Sequence, residues 1–142
     1  MCGIVGYTGN ENAAPILLAG LTKLEYRGYD SAGIAVRDLS REDTAVVRSP
    51  GRLINLIQKT DNGASVPGTC GLGHTRWATH GEPTEVNAHP HSSLGDDVVG
   101  VHNGIIENYR ELKDKLIRHG YVFRSETDTE VAVNLVDYYY KK

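Results

Sequence analysis

Cysteine, aromatic residues other than tyrosine, and long apolar runs are all scarce in this sequence. Its 142 residues include two Cys, one Trp, one Phe and one Met. Two cysteines are too few for a disulfide framework. No segment approaches the roughly 18 consecutive apolar residues of a membrane span, and the N-terminus lacks a signal-peptide pattern. These absences argue against disulfide-stapled and membrane-spanning classes and predict a cytoplasmic protein with reduced thiols.

Charge of a single sign is not concentrated anywhere in the sequence. Lys and Arg total 15, Asp and Glu total 18, and the formal net charge is −3. Because the basic residues are scattered rather than clustered, a nucleic-acid partner is not expected. With 39% hydrophobic and 23% charged residues, the composition is that of an ordinary globular domain, and one domain over residues 1–142 is the simplest division.

The hydrophobic pattern predicts strands and helices in an irregular order. Strands are expected at residues 2–8, 32–36, 45–47, 71–75 and 98–102, and helices at 13–26, around 53–57, at 109–119 and at 131–140. The strands 32–36 and 45–47 are separated by the polar stretch 38–43 and are expected to form a hairpin. Residues 77–95 form a long Gly-, Pro- and His-containing connection, which favours a functional loop such as a lid. No regular alternation of strand and helix is present, so the sequence predicts an α+β layered domain.

Two sequence signals refine the C-terminal helices. Asn108 with Glu111, and Thr127 with Glu130, have the spacing of capping pairs at helix N-termini. In the last helix Val131, Leu135, Val136 and Tyr139 fall on one face, and we expect that face to be the packed one.

Cys2 directly follows the initiator Met1, and this position has chemical consequences. If Met1 is removed, a thiol and a free α-amine lie on the same residue. With reference pKa values near 7.7–8.0 for the amine and 8.5 for the thiol, the neutral amine can accept the thiol proton. Taken alone, a Met-Cys start is more typical of a cysteine that simply begins a strand.

Five segments place this cysteine in a recognisable context. They are MCGIVG at 1–6, LEYRGYDSAG at 24–33, GHTRWATHGEP at 73–83, NAHPH at 87–91 and VHNGIIEN at 101–108. The first two resemble signatures of the class II glutamine amidotransferases. The others resemble the glutamine:fructose-6-phosphate amidotransferase family, and the resemblance extends along nearly the whole chain.

The resemblance implies a fold and a reaction. The expected fold is an N-terminal-nucleophile hydrolase αββα sandwich, incomplete at its C-terminus. The expected reaction is hydrolysis of L-glutamine to glutamate and ammonia by Cys2. In the family, a further sugar-phosphate isomerase region of the same chain uses the ammonia to form glucosamine 6-phosphate, and the full-length protein is expected to be a homo-oligomer. For the 142-residue chain that retains Met1, no activity is expected.

By the same resemblance, the side chain of Asn103 and the backbone N–H of Gly104 are the oxyanion donors. Arg76 is expected to bind the α-carboxylate of glutamine, and Asp128 its α-ammonium group. Taken alone, Asn103-Gly104 is more typical of a tight turn, Arg76 of a surface charge, and Asp128 of a first helical turn.

Five further residues are secondary candidates for the glutamine site. Arg27 is expected near the nucleophile, Thr79 and His80 in a loop that closes over glutamine, His89 in shaping that loop, and Trp77 as a gate towards the second region. No cofactor is expected. No metal is expected either, because the close pair His89 and His91 has no second pair at zinc-binding spacing.

Two rival hypotheses remain open. The chain could be the glutaminase part of another class II amidotransferase, or it could be a catalytically silent fragment.

Overall fold

The computed structural model describes residues 2–78 and 81–142. Within these residues the elements, in chain order, are β1 Gly3–Thr8, α1 Ala13–Leu24, a 3₁₀ turn Glu25–Arg27, β2 Ser31–Asp38, β3 Asp43–Pro50, α2 Leu53–Lys59, β4 Cys70–Arg76, β5 His91–Ser92, β6 Val99–Gly100, α3 Tyr109–Arg118 and α4 Asp128–Tyr140. In the part of the chain so described, no helix is long and apolar enough to cross a membrane.

Four strands form an antiparallel sheet in the order β1-β4-β2-β3. The predicted hairpin is confirmed, since β2 and β3 pair from Ser31 with Pro50 to Asp38 with Asp43. The strand β4 lies between β1 and β2, with Gly3 opposite Thr75 and Gly33 opposite His74. This register brings the start of β1 and the end of β4 together at the same end of the sheet.

One face of the sheet is covered by α1, which packs against β1 and β4. The apolar side chains of α1 at Leu17, Leu18 and Leu21 are buried there. They join a core to which β2, α2 and the segment around Val66 also contribute. Burial of this stripe, rather than helix propensity, stabilises so short a helix.

A second layer covers the other face. The short strands β5 and β6 form a two-stranded antiparallel sheet, and α4 packs against both of them and against α3. Contacting histidine rings connect β5 to β4: His74 stacks on His89, and His89 meets His91 edge to face. The layers therefore follow the helix, sheet, sheet, helix order, with a second sheet of only two strands among the described residues.

Two predicted segments differ from the observed structure. Residues 77–95 are not purely a loop, because β5 lies within them. The predicted strand 98–102 is reduced to β6 at Val99–Gly100. β5 pairs with β6 through only two residues of each strand. Strands of that length are too short to produce a clear alternating pattern in the sequence.

The two predicted helix caps have different outcomes. The Thr127 hydroxyl accepts a hydrogen bond from the backbone N–H of Glu130, which confirms the cap of α4. The Glu130 carboxylate, however, accepts from the backbone N–H groups of Arg124 and Ser125. Asn108 makes no side-chain cap bond at α3, so that prediction is wrong.

The packed face of α4 matches the predicted one only at Val131, which is buried. Val136 and Tyr139 are both more than half exposed, whereas Asn134 and Asp137 are buried. The buried polar groups have partners, since Asn134 accepts from the Leu94 N–H and Asp137 accepts from the Tyr121 hydroxyl. Satisfied hydrogen bonds let this polar face pack inward.

Candidate active site

A cavity of about 490 Å³ lies where β1 begins and β4 ends, beside the N-terminus of α4. Its lining comes from widely separated parts of the sequence: Cys2, Arg27, Arg76, Trp77, His89, His102, Asn103, Gly104, Ile105, Thr127, Asp128 and Thr129. Eight of the ten residues named from the sequence line it. The other two, Thr79 and His80, lie outside the described residues.

The Cys2 sulfur is held against the backbone that follows β4. The Trp77 N–H donates to Cys2 Sγ at 3.1 Å. The thiol in turn lies 3.5 Å from the Trp77 carbonyl oxygen, to which it donates. A thiolate can keep the N–H bond after its proton has left, and hydrogen bonds to an ionised acceptor are the stronger kind. The site therefore presents sulfur, with one fixed donor, at the cavity wall.

Asn103 lies next to the nucleophile although 101 positions separate it from Cys2. Its Nδ2 donates to the Cys2 carbonyl oxygen at 3.1 Å, and its Oδ1 lies 2.8 Å from His74 Nε2. Both ends of the amide are thus occupied, and Nδ2 has a second hydrogen in the plane of the amide.

Gly104 follows with a φ of +135°, a conformation that L side chains rarely adopt. A Cβ at this position would come within 3.3 Å of two atoms of the His102 ring. The turn expected from the Asn103-Gly104 dipeptide therefore forms part of the cavity wall.

Arg76 is the last residue of β4 and is only 2% exposed. It donates from Nη1 to the Glu82 carbonyl at 3.1 Å and from Nη2 to the Gly81 carbonyl at 3.3 Å. Burial lowers the pKa of Arg76, and the negative charges of Cys2, Asp30, Asp128 and Glu126 offset part of that shift. The expectation of a surface charge from residue type alone is therefore wrong.

Asp128 begins α4 and is 4% exposed. Its Oδ2 accepts a hydrogen bond from the Ile106 N–H at 2.8 Å. This bond ties the turn containing Asn103 and Gly104 to the N-terminus of α4, where a carboxylate is favoured by the helix dipole. The cavity thus has a cationic group at the end of β4 and an anionic group at the start of α4.

Three histidine rings pack against one another at the cavity, and His89 is one of its lining residues. The rings of His74 and His89 are 4.1 Å apart and nearly parallel, and those of His89 and His91 are 4.8 Å apart. Burial lowers the pKa of His74 to about 4 and that of His91 to about 3, and it lowers the pKa of His89 further. All three rings are therefore neutral at pH 7. Among residues 2–78 and 81–142, no group of three His, Cys, Asp or Glu is arranged to hold a metal ion.

Five residues at this site were not expected there from the sequence: His74, His102, Ile105, Thr127 and Thr129. His74 was expected only as a strand residue, yet alternation along β4 places it on the same face as Arg76. That spacing is a usable signal once Arg76 is assigned to a site. The other four residues are neighbours in sequence of Asn103, Gly104 or Asp128.

Comparison with known proteins identifies the family. Residues 40–141 match the family model described as a glutamine amidotransferase domain. This chain belongs to the glutamine amidotransferase family. The match covers the last strands of the main sheet, the histidine layer and α4, and the amidotransferase domain therefore includes most of the cavity wall.

Curated relatives of this amidotransferase chain include two bacterial proteins named glutamine–fructose-6-phosphate aminotransferase [isomerizing]. The one from Clostridium acetobutylicum is 56% identical over 141 residues, and the one from Streptococcus pneumoniae is 57% identical over 136 residues. The matches cover 99% and 96% of this chain, but only 23% and 22% of the relatives. This chain thus spans less than a quarter of their length.

Two solved structures share the fold of this amidotransferase chain. The glutamine phosphoribosylpyrophosphate amidotransferase of Bacillus subtilis, complexed with ADP and GMP, has a TM-score of 0.79 at 29% identity. That match covers 96% of this chain and 29% of the other. An allosteric regulatory enzyme of purine biosynthesis has the same TM-score at 30% identity. These likenesses confirm the expected α+β fold of the N-terminal-nucleophile hydrolases.

Proposed function

We propose that this chain hydrolyses the side-chain amide of L-glutamine, with Cys2 as nucleophile, and supplies the ammonia for synthesis of glucosamine 6-phosphate from fructose 6-phosphate. The observation that carries the proposal is the meeting of Cys2 and Asn103 at a single cavity. Residues 1–142 would form the glutaminase portion of the protein.

The reaction would proceed by acyl transfer. After removal of Met1, the neutral α-amine of Cys2 accepts the thiol proton, and Sγ forms a bond to the amide carbon of glutamine. The tetrahedral intermediate then breaks its C–N bond, and the amine returns the proton so that ammonia leaves. Water attacks the resulting thioester, the C–S bond breaks, and glutamate and the thiol are released.

The oxyanion of each tetrahedral intermediate would receive hydrogen bonds from Asn103 Nδ2 and the Gly104 N–H. Such preorganised donors contribute because they bind the charge only as it develops. Asn103 already has its amide fixed at both ends, and Gly104 provides a backbone free of any Cβ at the cavity wall. No cofactor or metal takes part in this scheme.

The amino-acid end of glutamine would lie between opposite charges. The Arg76 guanidinium would bind the α-carboxylate, since its planar fork matches carboxylate geometry, and Asp128 would bind the α-ammonium group. Arg27, Trp77 and His89 line the same cavity and would contact the substrate there. Thr79 and His80 belong to this proposal by resemblance alone.

The relatives, rather than the cavity, support the proposed acceptor and partners. The Clostridium and Streptococcus proteins are named for fructose 6-phosphate and for isomerisation, which supports a sugar-phosphate isomerase region as the partner of this domain. The proposal includes a homo-oligomeric full-length protein and, because both cysteines are free thiols, a cytoplasmic location.

The test uses the complete gene product that carries this chain, with removal of Met1 verified by mass spectrometry. Wild-type protein should release glutamate from glutamine, Cys2→Ala should release none, and Cys70→Ala should match wild type. Cys70 is a suitable control because it is a free cysteine that pairs with Thr8, at the opposite end of β1 from Cys2. Equal activity in the Cys2 variant would overturn the proposal.

The acceptor is tested separately with the same protein. Formation of glucosamine 6-phosphate from fructose 6-phosphate and glutamine is expected. Glutamine hydrolysis that is coupled instead to phosphoribosyl pyrophosphate would favour the amidotransferase class of the Bacillus subtilis structure. Glutamine hydrolysis with neither acceptor would contradict the choice of acceptor while leaving the role of Cys2 intact.

A further inference from the structure

We propose that His74 is a positioning residue that sets the orientation of the Asn103 amide, so that Nδ2 rather than Oδ1 faces the developing oxyanion. This inference rests on the proposed glutaminase function. It assigns a task to a histidine that does not line the cavity.

The hydrogen bonds around Asn103 define the direction of the contact. Asn103 Nδ2 donates to the Cys2 carbonyl at 3.1 Å, so its Oδ1 is the atom that lies 2.8 Å from His74 Nε2. Since Oδ1 can only accept, the His74 Nε2 must carry a hydrogen. Its other nitrogen, Nδ1, has no hydrogen-bond partner of ordinary geometry among the described residues, and the backbone of His102 lies near enough to raise the pKa of the ring.

Rotating the amide by half a turn would be costly in this arrangement. Oδ1 would then face the Cys2 carbonyl oxygen, placing two acceptors together, and Nδ2 would face His74 Nε2, whose hydrogen would have to move to Nδ1 before that contact could be a hydrogen bond. Without His74, only the single bond to the Cys2 carbonyl would oppose that rotation. The flipped amide would present a carbonyl oxygen to the oxyanion in place of a donor.

The His74 ring is itself fixed from two sides. It is fully buried, and the His89 ring stacks on it at 4.1 Å with planes 13° apart. The His89 backbone lies directly on β2, where Gly33 pairs with His74, and any Cβ at Gly33 would clash with the His89 carbonyl oxygen. Close packing of backbone on backbone therefore holds the stack that orients the amide.

Three substitutions of His74 separate hydrogen bonding from packing. His74→Gln places an amide N–H near the position of Nε2, His74→Asn places one near Nδ1 and out of reach of Asn103, and His74→Phe keeps a ring but no donor. In the complete gene product with Met1 removed, His74→Phe and His74→Asn should lower kcat for glutamine hydrolysis by roughly 10- to 100-fold. This fall is smaller than the roughly 10²–10³-fold fall expected when a whole oxyanion donor is lost. KM should change less than about threefold, because no group that binds glutamine is removed. Gln should restore most of kcat.

A double-mutant cycle with Asn103→Ala provides the second readout. If His74 acts through Asn103, then Asn103→Ala combined with His74→Asn should be no slower than Asn103→Ala alone. If the fold-losses in kcat of the two single variants multiply in the double variant, the inference is overturned. An unchanged kcat in His74→Asn, or a kcat of His74→Gln as low as that of His74→Asn, would also overturn it. Should His74→Phe fail to fold, the Gln and Asn pair still decides between the outcomes. An inactive wild-type protein, or an active Cys2→Ala variant, would instead contradict the proposed function.

Discussion

Replacing Gly104 by Ala tests the oxyanion role of the turn after Asn103. The φ of +135° is strained for any L side chain, and the new Cβ would press within 3.3 Å of the His102 ring. Holding alanine in such a conformation costs about 1–3 kcal/mol. If the backbone relaxes instead, the Gly104 N–H moves away from the oxyanion, and loss of one such donor costs about 2.7–4 kcal/mol, or 10²–10³-fold in kcat. We therefore expect a large fall in kcat with little change in KM for glutamine.

The matched control is Gly120→Ala. Gly120 also has a positive φ, +91°, but a Cβ there would meet nothing within 4 Å, and Gly120 is not among the residues lining the cavity. Thermal unfolding and steady-state glutaminase assays of both variants separate strain from catalysis. Both should lose stability, and only Gly104→Ala should lose kcat. A Gly104→Ala variant whose kcat stays within about twofold of the Gly120→Ala value would refute the oxyanion assignment.

Three further predictions concern binding, processing and pH. Arg76→Lys should raise KM for glutamine at least tenfold, because a point charge cannot replace a bidentate fork; an unchanged KM would place Arg76 outside the substrate site. A form retaining Met1 should be inactive in a glutamate-release assay, since an amide nitrogen on Cys2 cannot act as base; activity there would contradict the amine mechanism. The Tm should fall between pH 7.5 and 5, because burial lowers the pKa of His74 to about 4 and that of His91 to about 3, so the unfolded chain binds protons that the folded chain excludes. At pH 5, which is 1.5 units below the histidine pKa of 6.5 in the unfolded chain, His74 and His91 would each destabilise the fold by about 2 kcal/mol. A Tm that calorimetry finds unchanged over this pH range would argue against neutral buried rings.

Much of the first layer could be predicted from the sequence, because its signals are local. The helical period of residues 13–26 predicts α1, and two β-like runs around a polar stretch predict the β2 and β3 hairpin. The packed face of α4 could not be predicted in this way. Asn134 and Asp137 are buried because partners from distant segments satisfy them, and those partners have no signature within the helix itself.

The site shows the same division. Motif resemblance selected Cys2, Arg76, Asn103 and Asp128, and the strand register and the packing of α4 bring them to one cavity. His74 was left out because its contact is to a residue 29 positions away. Such a hydrogen bond depends on where the turn after β6 lies over β4, which no periodicity in the sequence encodes.

The most direct test of the central claim is covalent labelling with a glutamine analogue that carries a diazoketone in place of the side-chain amide. Such a reagent alkylates a nucleophilic thiol that binds the glutamine frame. Cys70 serves as the internal reference, since both cysteines are free and similarly half-buried. After removal of Met1, peptide mass spectrometry should find one equivalent of adduct on Cys2, none on Cys70, and protection of Cys2 by excess glutamine. Equal labelling of both cysteines, or labelling of Cys2 that glutamine does not slow, would contradict a glutamine site built around Cys2.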